Sequence, residues 1–127
     1  DAVNYAKERV QFDKPIIEHQ GLQFKLAEMT AQMAAARSLW EESIAMLEAG
    51  QSKRSSAYAA LTKYVCTEAA MKVTIDAVQV LGGSGLSKAH SVERYMRDVK
   101  AFQIFDGTNE IQKILIGRYL QKEGLPF

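Results

Sequence analysis

The sequence predicts an all-α fold, an antiparallel up-and-down four-helix bundle. Apolar residues recur every three or four positions from Leu22 to Leu47, the spacing of one face of a long helix. Only 2 prolines and 8 glycines interrupt 127 residues, so little chain is left for loops. One run alone alternates like a strand, Ala101-Phe102-Gln103-Ile104-Phe105, and a single strand without a partner is not a stable element.

Taken in order, residues 1–12 read as the end of a helix. Asp13-Lys14-Pro15 breaks it, because proline disfavours the helical conformation at the residue before it. The long helix that follows carries Leu22, Leu26, Met29, Met33, Ala36, Trp40, Ile44 and Leu47 as one continuous apolar stripe, and Gly50 is placed to stop it. Ser52 or Ser55 is a candidate cap for a third helix that runs to about Leu81, with Leu61, Val65, Ile75 and Val78 among its apolar positions. Gly82-Gly83-Ser84-Gly85 ends it. A short helix is expected over residues 92–97. Residues 101–107 then read as an extended loop packed on the bundle. Thr108 or Asn109 caps a last helix to about Leu120, whose apolar face is Ile111, Ile114, Leu115 and the stem of Arg118.

Composition narrows the function. Sixteen basic residues against 15 acidic ones leave a net charge of +1, so no bulk attraction to nucleic acid or to an anionic membrane is expected. No apolar run reaches the roughly 18 residues of a membrane span, and no basic-then-apolar leader opens the chain. The single cysteine, Cys66, excludes an internal disulfide and reads as a buried small residue in the run Tyr64-Val65-Cys66. His19 and His90 have no second histidine or cysteine at ligand spacing, so no metal site is expected. The chain begins Asp1-Ala2-Val3-Asn4-Tyr5-Ala6, without an initiator methionine and already in helical pattern, and we expect a start imposed by a cut.

Three segments could carry chemistry. In Phe105-Asp106-Gly107-Thr108-Asn109-Glu110 a carboxylate stands just before a glycine and a helix start. Desolvation by the preceding apolar run would make Asp106 a better base, whereas the helix dipole would favour its anion. As residues alone, the segment reads first as a turn and cap. Gln79-Val80-Leu81-Gly82-Gly83-Ser84-Gly85 offers bare backbone to a phosphate or a flat ring, or is only a helix stop. It is no dinucleotide fingerprint, since it follows a helix where a strand is required. Arg9 and Gln11, with His19-Gln20, are either a phosphate-binding group or solvated polar residues at a helix corner.

Together and in order, five blocks resemble the C-terminal domain of acyl-CoA dehydrogenases. They are Tyr5-Ala6-Lys7-Glu8-Arg9-Val10-Gln11-Phe12-Asp13-Lys14-Pro15-Ile16, His19-Gln20-Gly21-Leu22-Gln23-Phe24-Lys25-Leu26-Ala27-Glu28-Met29, Asp76-Ala77-Val78-Gln79-Val80-Leu81-Gly82-Gly83-Ser84-Gly85, Val92-Glu93-Arg94-Tyr95-Met96-Arg97-Asp98, and the Asp106 segment continued to Gln112. The resemblance implies a three-domain flavoenzyme: an N-terminal helical domain, a middle β domain, and this bundle as residues 1–127. It implies FAD at an interface between subunits of a homotetramer or homodimer. Arg9, Gln11, His19, Gln20, Gln79, Gly82 and Gly83 would contact the cofactor's pyrophosphate or adenosine end, largely from the neighbouring subunit, and Thr108 and Glu110 would meet FAD from the last helix.

The same resemblance implies an activity. A base removes the proton α to a thioester carbonyl while the β hydrogen passes to the flavin as hydride, giving a trans-2-enoyl-CoA. Electrons leave through an electron-transfer flavoprotein. Asp106 falls where many members carry a catalytic glutamate, and Phe105 and Gly107 would line the acyl pocket. Aspartate is one methylene shorter, about 1.5 Å of reach. The substrate then sits closer, as a bulky, branched or cyclic acyl group could require, or the backbone has shifted, or the base lies elsewhere. Residues 1–127 alone are expected to be inactive. A bacterial cytoplasm and a mitochondrial matrix both fit. The alternatives are a non-catalytic oligomerisation scaffold and a divergent FAD-binding homologue that acts like an oxidase.

Overall fold

The computed structural model describes residues 1–50 and 52–126, with side chains left out at 52 and 53. The chain is all-α apart from one small hairpin. Helix α1, Ala2–Glu8, ends where Arg9 turns extended (φ −71, ψ 122). Strands β1, Val10–Gln11, and β2, Lys14–Pro15, then pair antiparallel, Val10 with Pro15 and Gln11 with Lys14. Phe12 (φ 54) and Asp13 (φ 63) make the two-residue turn, both left-handed as a type I′ hairpin requires. The helix expected to reach residue 12 therefore stops at Glu8. Pro15 holds Lys14 extended, and pairing draws residues 10 and 11 into the same conformation. The amide of Ile16 donates to Arg9 O at 2.8 Å and closes the loop.

After a 3₁₀ turn at Ile16–Glu18, helix α2 spans Gln20–Glu48 and helix α3 spans Ser52–Leu81. Gly50 (φ 71) stops α2, its amide donating to Leu47 O. Of the two candidate caps of α3, the Ser52 side chain lies outside the described residues. Ser55 is buried inside the helix, at 4% exposure. Cross-links fix α2 and α3 antiparallel. Tyr58 OH donates to Glu42, Thr62 Oγ1 to Leu39 O, Cys66 Sγ to Ala36 O, and Lys25 Nζ to Asp76. Burial pushes the Cys66 thiol up, which keeps it protonated and inert.

Helix α4, Val92–Phe102, and helix α5, Asn109–Glu123, both run antiparallel to α3. The α4 helix takes the C-terminal half of α3, from Val92 in the core beside Ala77, Val80 and Leu81 to Gln103 at Glu68. Helix α5 takes the other half, from Asn109 at Lys63 and Thr67 to Pro126, whose carbonyl accepts from Arg54. Thus α3 is the helix on which the others pack, and the last two share one direction. The main core gathers Ala2 and Ala6 of α1, Leu26 and Met29 of α2, and Ala77, Val80, Leu81 and Val92.

Three expectations change. Helix α4 continues to Phe102, and the amides of Ile104 and Phe105 bond back to Ala101 O, so 101–105 is helix end and turn, not extended chain. Five alternating residues cannot outweigh the helical spacing of Val92, Met96, Val99 and Phe102. The stripe on α2 is buried only at Leu26 and Met29, while Met33 (59%), Trp40 (51%) and Leu47 (56%) stay exposed, because α3 alone covers this helix broadly. Ile75 of α3 also faces outward. On α5 the faces are reversed. Ile111, Ile114 and Leu115 are exposed, and Asn109 and Gln112 are buried at 3% and 8%.

Candidate functional site

The first group of site residues forms where α1, the hairpin and the end of α3 converge. Because α1 stops at Glu8, Arg9 and Gln11 swing beside α3, and because Gly82 adopts φ 57, the chain there leaves the helix with its backbone bare. A cleft of about 420 Å³ results, lined by Tyr5, Arg9, Gln11, Ile16, Gln79 and residues 80–84. Five predicted residues, Arg9, Gln11, Gln79, Gly82 and Gly83, meet there. Arg9 is exposed and has no carboxylate partner among the described residues, so its guanidinium is open to an anion. A Cβ built at Gly82 or Gly83 would meet nothing within 4 Å, so the glycines keep the cleft's wall low.

His19 does not line the cleft. Its Nε2 donates to Gln11 O at 3.1 Å in the tautomer that carries the proton there, and its ring meets Phe12 edge-on. It fastens the hairpin to the start of α2. Gln20, exposed in the first turn of α2, is not part of the cleft wall. Sequence reasoning missed Tyr5 and Ser84, whose hydroxyls bond at 3.2 Å across the cleft floor. The signal was available for Tyr5, which lies four residues before Arg9 and whose carbonyl accepts the Arg9 amide at the helix end.

The second group is the turn from 103 to 109. Asp106 is exposed and left-handed (φ 53), and Gly107 follows at φ 87. The carbonyl of Gly107 accepts from Gln112 Nε2 at 3.1 Å, and a Cβ on Gly107 would come within 2.8 Å of that nitrogen. Phe105 packs on Phe102, with ring centroids 4.9 Å apart. Thr108 caps α5, its Oγ1 accepting from the amide of Ile111. Glu110 is held below the ordinary carboxylate range, first by its own backbone N–H and then by the Thr108 hydroxyl. Thr108 and Glu110 are therefore engaged in the helix start.

Sequence reasoning missed the network beneath this turn. Asn109 Oδ1 accepts from Lys63 Nζ and Thr67 Oγ1, both at 3.1 Å, and Asn109 Nδ2 donates to Glu68 Oε1 at 2.7 Å. The two groups do not meet within one chain. From Glu68 to Gly82 along α3 is about 21 Å at 1.5 Å per residue. No cluster of metal-ligating side chains occurs among the described residues, and no described helix is long and apolar enough to cross a membrane.

With this geometry in hand, comparison with known proteins is specific. A family model described as the acyl-CoA dehydrogenase C-terminal domain matches residues 1–121, and the chain belongs to that family. It is 44% identical over 119 residues to the cyclohex-1-ene-1-carbonyl-CoA dehydrogenase of Geobacter metallireducens (strain ATCC 53774 / DSM 7210 / GS-15), covering 94% of this chain and 31% of the relative. The solved butyryl-CoA dehydrogenase of Megasphaera elsdenii matches with a TM-score of 0.91 and 44% identity, over 95% of this chain and 31% of the other. A structure described as the electron transferring flavoprotein of Acidaminococcus fermentans matches with a TM-score of 0.92 and 41% identity, over 96% and 32% of the respective chains. The chain thus spans about a third of the length of the curated relatives it matches.

Proposed function

We propose that residues 1–127 serve as the C-terminal bundle of a flavoenzyme that converts a saturated acyl-CoA thioester to the trans-2-enoyl-CoA, with Asp106 removing the α proton. The observation that carries this reading is the conformation of Asp106. The left-handed φ of 53, uncommon for a non-glycine residue but one that aspartate tolerates, lifts its exposed carboxylate out of a turn braced on both sides. A proton on the carbon α to a thioester carbonyl can pass to such a carboxylate if the two are held within hydrogen-bond reach. Placement is then the protein's main contribution.

FAD suits the first cleft, where a guanidinium with no carboxylate partner among the described residues and bare glycine backbone would receive a phosphate-bearing group. Arg9, Gln11, Gln79, Gly82 and Gly83 would hold its pyrophosphate or adenosine end, with His19 and Gln20 at the margin. Bound FAD supplies the hydride acceptor for the β hydrogen. Because Thr108 and Glu110 flank Asn109 beside the Lys63–Glu68 stretch of α3, at least about 21 Å along that helix from Gly82, we assign the two groups to different ends of the cofactor or to different subunits of a homo-oligomer. An N-terminal helical domain and a middle β domain would complete the enzyme, and an electron-transfer flavoprotein would take its electrons. Residues 1–127 alone would not turn over.

The shorter reach of aspartate favours an acyl group that sits close to the turn, and a branched or cyclic acyl-CoA meets that need. The chain is 44% identical both to a dehydrogenase named for a cyclic acyl-CoA and to a butyryl-CoA dehydrogenase, so linear, branched and cyclic acyl-CoAs all belong in the test. A second reading, a non-catalytic oligomerisation scaffold, draws on the exposed faces of α2 and α5. An absorption spectrum of the intact protein separates them. A flavin spectrum bleached by one of a panel of linear, branched and cyclic acyl-CoAs supports the dehydrogenase. A flavin that no acyl-CoA bleaches favours a divergent, oxidase-like homologue, and protein without flavin favours the scaffold.

A further inference from the structure

We propose that Glu68 is a positioning residue for Asp106. The catalytic meaning rests on the reading of Asp106 as a base, and the geometry supplies what holds that base. One oxygen of the Glu68 carboxylate, Oε1, accepts from Gln103 Nε2 at 2.8 Å and from Asn109 Nδ2 at 2.7 Å. It therefore ties the entry of the turn to its exit, and Asp106 lies between. The amide of Asn109 also donates to Gln103 O at 3.0 Å, so backbone and side chains close the same loop.

Both amides are oriented for this. The Gln103 oxygen accepts from Lys100 Nζ at 3.0 Å, and the Asn109 oxygen accepts from Lys63 and Thr67. The Gln103 nitrogen then points at Glu68, and the Asn109 nitrogen is shared between Glu68 at 2.7 Å and the Thr67 hydroxyl at 2.9 Å. Charged acceptors make the stronger bonds, which suits a clamp on a left-handed residue that its surroundings must over-determine. The Asp106 carboxylate itself makes no hydrogen bond among the described residues and stays free for a ligand. Glu68 is exposed and outside the main core, so removing it should disturb the turn rather than the fold.

The test uses the intact protein and its bleaching acyl-CoA. Glu68→Ala should lower kcat about tenfold to a hundredfold, the scale of an ångström-sized misplacement. KM and flavin content should hold, the melting temperature should fall only modestly because the buried Asn109 amide keeps Thr67 as an acceptor, and amide deuterium exchange over residues 103–109 should speed up. Glu68→Gln, which keeps an oxygen acceptor, should restore most of both. Unchanged exchange over 103–109 in Glu68→Ala would overturn the clamp, whatever Asp106 does. Faster exchange with native kcat, where Asp106→Asn is inactive, would overturn the positioning role. Faster exchange with Asp106→Asn fully active would support the clamp and count against the base reading instead.

Discussion

The Lys25 ammonium lies 2.6 Å from the Asp76 carboxylate and fastens the start of α2 to the end of α3. Lys72, one turn earlier on α3, adds a second contact at 3.0 Å. With 13% of its side chain exposed, Asp76 is held below its ordinary value of 3.8, chiefly by the hydrogen bond from Lys25. A carboxylate whose folded pKa is depressed adds stability above its unfolded pKa and loses it as pH falls through the folded one. Asp76→Asn should therefore cost about 1–3 kcal/mol near neutrality. The deficit should begin to shrink below about pH 4, where the unfolded aspartate takes up a proton, and should vanish only as pH falls through the lower folded value. Urea unfolding of both proteins at neutral and acid pH measures this.

Gly85 and Gly83 should part company when changed to alanine. A Cβ at Gly85 would lie 2.6 Å from Val78 O and 3.0 Å from Leu81 Cβ, whereas at Gly83 it would meet nothing. Gly85→Ala should lose about 1–3 kcal/mol through overpacking. Gly83→Ala should melt as the wild type does but retain less flavin in the intact protein, if a phosphate approaches that backbone. Thermal unfolding and the ratio of flavin to protein absorbance read the two effects apart.

Asn109 is a buried polar residue with every side-chain group satisfied, so truncation leaves its partners unpaired. Asn109→Ala should cost about 1–3 kcal/mol. Thr108→Ala, which removes only a cap, should cost about 1 kcal/mol. Denaturant midpoints order the two.

Much of this was legible in the sequence because helix stops are chemical. Gly50, the 82–85 cluster and Thr108 each mark a boundary by a property of the residue itself. Faces were less legible. The periodicity of Met33, Trp40 and Leu47 is real, yet it says only that one side of α2 is apolar, not that this chain covers it. On α5 the rule inverted, since Asn109 and Gln112 are buried by partners on α3 and on the 103–107 turn that no local pattern announces. The hairpin at residues 10–15 was hidden because its turn places Phe12 where glycine or asparagine is usual. The cleft residues were nameable through the family resemblance, and only the fold brought five of them together.

Arg9→Ala should weaken flavin retention without altering the melting temperature of the flavin-free protein, because Arg9 is exposed and has no ion-pair partner among the described residues. Arg9→Lys should recover only part of the loss, since lysine cannot make the bidentate contact. Flavin titration of the intact protein and both variants checks this.

The measurement that bears most directly on the reading of Asp106 is exchange of the α protons of a saturated acyl-CoA in deuterium oxide, catalysed by the intact protein and by its Asp106→Asn variant. Asparagine tolerates the left-handed conformation, so the turn should survive. The account predicts equal flavin content and a fall in exchange of about a hundredfold or more, the scale of general-base catalysis. Exchange by Asp106→Asn at the wild-type rate would contradict it and place the base elsewhere.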